Sequence, residues 1–298
     1  MKSGFVAVVG RPNVGKSTLV NQMVGSKVAI TSSRPQTTRN AIRGVVTASD
    51  GADPDYQIVL VDTPGLHKPK TELGTRLNSL VYGTLADADV VLFLIDATMP
   101  IGPGDRLIAE RLVESDADVV VGVNKIDKAS RQATMAQLIK AADWPFKDIY
   151  PLSAIKGDGI AVLIEELVRR LPQGPRYYPE GMTTDQPENL VIAEIVREKF
   201  LRRLREELPH SLTVRIEEMD QRESGLIDIT ADVVVERKSQ KGIVIGKGGS
   251  LLQKAGTEAR EELEKILGNK VNLNLRVVVE KDWQRRPQLL DRLGFDKA

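Results

Sequence analysis

The 298-residue chain contains no cysteine. That excludes a disulfide framework and thiolate-held metals, and it fits a reducing, cytoplasmic setting. Only two histidines occur, and neither lies in an HExxH or comparable ligand spacing. The expected metal is therefore limited to magnesium carried by a nucleotide. No apolar run approaches the roughly 18 residues of a spanning helix. The opening "MKSGFVAVVGRP" has only a short apolar stretch, too brief for a signal-peptide core. There is no internal repeat and no low-complexity tract. Charge of one sign is also lacking: the formal net charge is +1, so any basic surface must be local. What is present is a hydrophobic fraction of 41%, ample for buried cores, in a length that suggests two domains.

The first half alternates apolar runs with helical patterns. The runs are "FVAVV" (5–9), "IVLV" (58–61), "VVLFLI" (90–95), "VVVGV" (119–123) and a weaker "DIYPLS" (148–153). Continuous Val/Ile runs predict strands buried on both faces, in a mostly parallel, doubly wound α/β sheet covered by helices. The helix "GIAVLIEELVRRL" closes this unit near Leu171. Residues 172–188 hold four prolines and two glycines and read as an extended linker. The expected division is 1–171, a linker at 172–189, and 190–298. The last part reads helix–strand–strand–helix–helix–strand, an α+β unit, if "QKGIVIG" is itself a short helix.

"VVGRPNVGKST" follows a strand and opens a helix, the context a phosphate loop requires. Gly10 and Gly15 let the backbone curl so that N–H groups point inward at the positive end of the helix dipole. The loop runs from Gly10 and Arg11 through Pro12, Asn13 and Val14 to Gly15. Lys16 adds charge for the outer phosphates, Ser17 offers a hydroxyl to magnesium, and Thr18 continues the helix. Three later segments argue for guanine. In "VDTPG", Asp62 is placed to hold a magnesium-bound water, with Thr63 and Pro64 leading to Gly65, whose N–H could meet a γ-phosphate. In "NKID", Asp127 can accept from the guanine N1–H and 2-amino group, while Asn124, Lys125 and Ile126 form the rest of that loop. "LSA", with Ser153 and Ala154, can offer a backbone N–H to the guanine O6. All lie at carboxyl ends of strands, where such sheets bind ligands.

"SSRPQTTRNAIRG" (32–44) falls where a switch loop would lie. Thr38, ahead of Thr37, is the candidate to complete magnesium coordination when a γ-phosphate is present. Leu66 stands where some GTPases place a water-orienting glutamine, so intrinsic hydrolysis should be slow. Asn13 is a candidate to help bind potassium beside the phosphates. His67 reads as a solvated loop residue rather than a base, and His210 shows no role. A kinase or ATPase conflicts with "NKID".

"GIVIGKGGSLLQ" (242–253) imitates a phosphate loop but fails its spacing: Gly242 and Gly246 are separated by three residues, and Lys247 is followed by Gly248 rather than Ser or Thr. What remains is Gly-x-x-Gly, Gly246 to Gly249, between helical segments. Glycine would let a nucleic-acid backbone approach closely, with Lys247 near Lys238, Lys241 and Lys254. Residues 190–298 hold 21 basic and 19 acidic residues, only +2. From spacing alone, RNA binding and a plain helix–turn–helix corner are equally good readings.

The order of "GRPNVGKST", "QTTR", "DTPG", "NKID" and "SA", then "REELPHS", "ERKSQKGIVIGKGG" and "KDWQRRP", resembles the bacterial Era GTPases over nearly the whole chain. The resemblance implies a Ras-like P-loop GTPase domain and a type II KH domain. It implies binding of GTP and GDP with Mg2+, binding to the 3′ end of 16S ribosomal RNA, and a role in small (30S) subunit maturation, with peripheral membrane association. Gly246, Lys247, Gly248 and Gly249 become the KH loop. Trp283 could stack a base or anchor a core, and Arg285 and Arg286 could meet phosphates. A monomer is expected, and no DNA partner. A protein-docking role for the second unit is the alternative that the Gly246–Gly249 loop decides.

Overall fold

A computed structural model describes residues 1–32, 34, 37–48, 56–66 and 69–295. His67 lies outside the described residues. The first unit runs β1 (Lys2–Gly10), α1 (Lys16–Val24), β2 (Ile42–Thr47), β3 (Tyr56–Asp62), α2 (Glu72–Asp87), β4 (Val90–Asp96), α3 (Pro103–Glu114), β5 (Val119–Asn124), α4 (Arg131–Ala141), β6 (Asp148–Pro151) and α5 (Ile160–Arg170). Its six-stranded sheet has the order β2-β3-β1-β4-β5-β6. Every pairing is parallel except β2 with β3. The central strands are buried on both faces, as their unbroken Val/Ile/Leu composition requires. One face packs on α1 and α5 through Leu19, Val20, Leu163 and Leu167. The other packs on α2, α3 and α4 through Val81, Ile108, Leu112 and Ala141.

β2 is the element the apolar runs do not reveal. Its start, Ile42, falls inside the stretch read as a switch loop, so the loop ends three residues earlier than its expected limit at residue 44. β2 pairs only with β3, at the sheet edge, and an edge strand needs less apolar sequence than a central one.

The proline-rich segment after α5 is extended but not free. Gly174 N–H donates to Met1 O (3.1 Å), Ser3 Oγ to Pro175 O (2.7 Å), Gln57 Nε2 to Tyr178 O (3.0 Å) and Val45 N–H to Thr183 O (2.9 Å). It is laid along the first sheet rather than spanning open solvent.

The rest of the chain runs α6 (Glu188–Leu201), a single turn α7 (Leu208–Ser211), β7 (Thr213–Gln221), β8 (Ile227–Val235), α8 (Lys238–Ile245), α9 (Ser250–Leu267), β9 (Val271–Val279) and α10 (Pro287–Arg292). The three-stranded sheet pairs β7 antiparallel and β9 parallel to β8. α6 and α9 cover it through Val196, Phe200, Ala255 and Ala259. The sequence pattern predicts an amphipathic α6, yet Arg197, Glu198 and Lys199 are buried along with its apolar residues. Arg197 and Glu198 face the first unit and Lys199 faces α9 instead of water, which is why these polar residues leave the surface.

Trp283 is fully buried, in a cluster with Leu73 and Leu77 of α2 and Leu290 of α10. Its Nε1–H donates to Ser211 O (3.0 Å), and its ring stacks on Phe295 with centroids 5.8 Å apart. A base-stacking role for Trp283 is thereby corrected: a ring with no exposed face cannot take a base, and it serves as a core anchor. Trp283→Ala should destabilise the protein by about 3–5 kcal/mol, as for other buried aromatic truncations. Urea unfolding checks this, and a loss below about 1 kcal/mol would contradict the anchoring role.

Candidate functional site

The loop between β1 and α1 lines a cavity of about 630 Å³ with Gly15, Lys16 and Ser17 on its floor. Gly10 (φ 150°) and Gly15 (φ 103°) hold the left-handed region that the curl demands. A Cβ on Gly15 would sit 2.3 Å from Asn124 Nδ2, so space as well as backbone angle demands glycine there. Lys16 is buried, and its Nζ donates to Gly10 O (3.1 Å) and Arg11 O (3.2 Å). Burial lowers its pKa to about 8, with Asp62 opposing. The Arg11 side chain turns away to pair with Asp105 of α3 at 2.8 Å. Thr18 borders the same cavity, and buried Val14 gives its carbonyl to Asn124 Nδ2 (2.8 Å).

Three oxygens from three distant segments converge beside Lys16. Ser17 Oγ donates to Asp62 Oδ2 (2.6 Å) and lies 3.0 Å from Thr38 Oγ1, which itself donates to Asp62 Oδ2 (3.1 Å). Asp62 is fully buried, and its Oδ1 has no hydrogen-bond partner among the described residues. Burial pushes its pKa up, against Lys16, Ser17 and Thr38. An all-oxygen set with an unused buried carboxylate oxygen fits a small hard cation such as Mg2+. Of the two threonines, Thr38 is at the cluster, whereas Thr37 Oγ1 donates to Arg34 O (2.8 Å). Buried Thr63 ties the segment to β1 through Val8 O (2.8 Å). Gly65 packs against Pro12, where a Cβ would come within 2.8 Å of the ring. Leu66 turns its side chain toward the α2–α4 core, so no side chain at this position orients a water.

In the loop after β5, Asn124 Oδ1 accepts from Lys125 N (2.8 Å) and Ala154 N (2.9 Å). Lys125 Nζ donates to Asn13 O (2.6 Å) and to Asp96 Oδ2 (2.6 Å). Burial would raise the Asp96 pKa, but Lys125 and Thr98 outweigh it and hold it low. Ser153 Oγ donates to Asp127 Oδ1 (2.7 Å), which orients that carboxylate, and Ile126 packs on the core below. The two amides of "LSA" that could meet a guanine O6 each have a partner in this structure. Ser153 N donates to Asp158 O (3.0 Å) and Ala154 N to Asn124. A guanine O6 would therefore share the Ala154 N–H with the Asn124 carbonyl.

The segment 37–39 is gripped from the second unit, a feature that no local motif signals. Arg197 of α6 donates to Thr37 O while paired with Glu194. Arg39 is buried, and its guanidinium donates to Leu212 O (2.8 Å), His210 O (2.8 Å) and Pro209 O (3.3 Å). The same group sits 5.7 Å from the Trp283 ring centroid, within cation–π reach. Burial, then Arg197, lowers the Arg39 pKa to about 9.

The Gly-x-x-Gly segment is a tight corner between α8 and α9. Gly246 (φ 77°), Gly248 (φ 59°) and Gly249 (φ 80°) are all left-handed. A side chain at Gly246 would strike Leu251 at 2.9 Å, whereas Gly248 and Gly249 face open space within 4 Å. The corner therefore presents bare backbone outward. Lys241, Lys247 and Lys254 are exposed around it, as is Ile243. Arg285 and Arg286 are exposed beyond β9.

Residues 5–125 match the family described as 50S ribosome-binding GTPase, and residues 207–284 match the KH domain family. GTPase Era of Mycobacterium tuberculosis is 53% identical over 300 residues, covering 98% of each chain. GTPase Era of Mycolicibacterium smegmatis is 52% identical over 99% of each. The solved structure of an Aquifex aeolicus Era variant bound to GDP·AlF4− has a TM-score of 0.93 and 39% identity, over 99% of both chains. Era in complex with MgGDPNP and nucleotides 1506–1542 of 16S ribosomal RNA has a TM-score of 0.94 and 40% identity, again over 99% of both. Fold and site together define a phosphate-loop GTPase that carries a KH module. The chain belongs to the Era family of GTPases.

The loop that carries Asp127 yields a direct test. Asp127→Asn replaces an acceptor with a donor and should shift preference from guanine towards xanthine nucleotides. Competition between GDP and XDP for the full chain reads this, and an unchanged preference would remove Asp127 from base recognition.

Proposed function

We propose that this chain is a guanine-nucleotide switch that binds and hydrolyses GTP with Mg2+ and thereby sets the affinity of its KH unit for the 3′ end of 16S ribosomal RNA. It would act in maturation of the small ribosomal subunit, in the cytoplasm. One observation carries the switch reading. Thr38 Oγ1 stands 3.0–3.1 Å from Ser17 and Asp62, while its neighbours Thr37 and Arg39 are held by the second unit. A γ-phosphate that favours this position of Thr38 would therefore favour one arrangement of the two units.

In this reading Lys16 and the loop amides from Asn13 to Ser17 hold the β- and γ-phosphates, and Gly65 N–H meets the γ-phosphate. Ser17, Thr38 and Asp62 hold Mg2+, which when bound neutralises charge developing on the phosphate oxygens. The chain divides into a GTPase unit (1–171), a strap (172–189) and a KH unit (190–298); the two separate sheets support this division. Among the described residues no helix is long and apolar enough to cross a membrane, so peripheral membrane association would need a surface contact.

RNA binding is assigned to the exposed corner Gly246–Gly249, where bare backbone and lysines suit a phosphodiester chain. Replacing Gly248 and Gly249 with aspartates adds negative charge and strains two left-handed positions. This variant should lose binding to a 16S 3′-end oligonucleotide by at least tenfold while retaining GTP hydrolysis. Undiminished RNA affinity would favour a protein-docking role for the second unit.

With Leu66 turned inward, no side chain at that position orients the attacking water, and Asn13 is the candidate to help hold a potassium ion beside the phosphates. GTP turnover should be several-fold faster in potassium than in sodium at equal ionic strength. Equal rates would exclude the cation role.

A further inference from the structure

The nucleotide cavity has a wall contributed by the second unit. Arg202, the residue directly after α6, lines the same cavity as Lys16, Thr31 and Ser32. It reaches there along a chain of contacts that crosses between the units. The carboxylate of Glu198 is completely buried and accepts from Thr31 N–H on Oε1 (3.0 Å) and from Arg202 Nη2 on Oε2 (3.1 Å). Thr31 belongs to the loop after α1, so one carboxylate fixes both a stretch of the cavity wall and the cation beside it.

The charges around Glu198 do not balance. Lys27 (2.7 Å) and Lys199 (3.1 Å) also pair with Glu198, and both lysines pair with Glu262. Three cations thus share two carboxylates. Lys199 is buried and Lys27 is engaged by both acids, so the surplus positive charge falls on Arg202, whose side chain is 50% exposed. A guanidinium already held on one side presents its other N–H groups in a fixed fork, which suits the oxygens of a phosphate.

We propose that Arg202 contacts a phosphate oxygen of the bound guanine nucleotide, so that the nucleotide itself bridges the two units. This rests on the nucleotide reading above and extends it: Arg202 is a binding residue supplied by the KH unit to the GTPase site. Because Arg202 moves with α6, a displacement of the second unit withdraws it. Nucleotide affinity then depends on how the units are arranged, and by linkage the nucleotide stabilises this arrangement.

The test compares wild type with Arg202→Ala, Arg202→Gln and Arg202→Lys in the full chain, titrating GDP, the GTP analogue and guanosine. Loss of one partly exposed charge-assisted contact should weaken GDP binding about three- to tenfold in the Ala and Gln variants. Lys should retain part of the affinity, and the Ala variant should show a shallower salt dependence. Guanosine has no phosphate and should bind all four proteins alike. GDP affinity unchanged in both the Ala and Gln variants would overturn the proposal. So would an equal loss for guanosine, which would mean that Arg202 merely supports the Thr31 loop. If wild type itself bound no guanine nucleotide, the reading of the site would fail instead.

Discussion

A buried arginine without a bonded carboxylate is the constraint on which this structure turns. Arg39 spends its Nη1 and Nη2 donors on three carbonyls of the short α7 region, and its Nε finds no partner among the described residues. Burying such a charge is unfavourable unless its donors are satisfied and its removal from water is offset nearby. Here the offsets are the carbonyl cage, the face of Trp283, and the Glu194 and Glu236 carboxylates at longer range. Even with its pKa lowered to about 9 the group stays protonated at neutral pH. The cage exists only when the first unit and the α7–β7 region are in this register, so the charge makes that register distinct from any slipped alternative.

The neighbouring residues turn this local constraint into a functional one. Thr37, Thr38 and Arg39 are consecutive, and they face α6, the oxygen cluster and the carbonyl cage respectively. A single trans peptide spans only about 3.8 Å between Cα atoms, so none of the three can move far without disturbing the others. The oxygen cluster is thus not an isolated pocket. Its third member is set by contacts to residues about 160–170 positions away in the chain.

The parts of this molecule that were legible in the sequence are those whose chemistry is local. A phosphate loop needs glycine and lysine at fixed spacing, so Gly10, Gly15, Lys16 and Ser17 announce it. Buried parallel strands need unbroken apolar runs, so β4 and β5 announce themselves. The short α8 was readable only conditionally, as a helix that "QKGIVIG" could form ahead of the glycine corner. What was not readable depends on distant partners. β2 borrows its strand character from pairing with β3. The charged face of α6 resembles a solvated helix until Thr31 and Thr37 come against it. Trp283, set among charged and polar residues in "KDWQRRP", reads equally as a base-stacking aromatic or a core anchor, and only its packing on α2 and Phe295 decides for the core. Ala154 offers an amide to a base in the sequence, yet the same amide lies within reach of Asn124 once β5 and β6 are paired.

α6 also joins the two ends of the molecule. On one side it carries Arg197, Glu198 and Arg202 toward the nucleotide cavity and the segment 37–39. On the other, Lys199 pairs with Glu262 and Arg203 with Glu258, both on α9. α9 begins directly after Gly249, so the corner assigned to RNA adjoins the N-terminal end of the helix that α6 grips. These contacts are ion pairs and hydrogen bonds between rigid helices, whose geometry tolerates little sliding. A ligand that shifts the α8–α9 corner must therefore be accommodated at α6, and a nucleotide that repositions Thr38 must be accommodated there as well. Coupling of that kind is reciprocal in binding free energy whatever its sign. On the proposed reading, RNA on the glycine corner and nucleotide in the phosphate loop would act as two ligands competing or cooperating for one position of one helix.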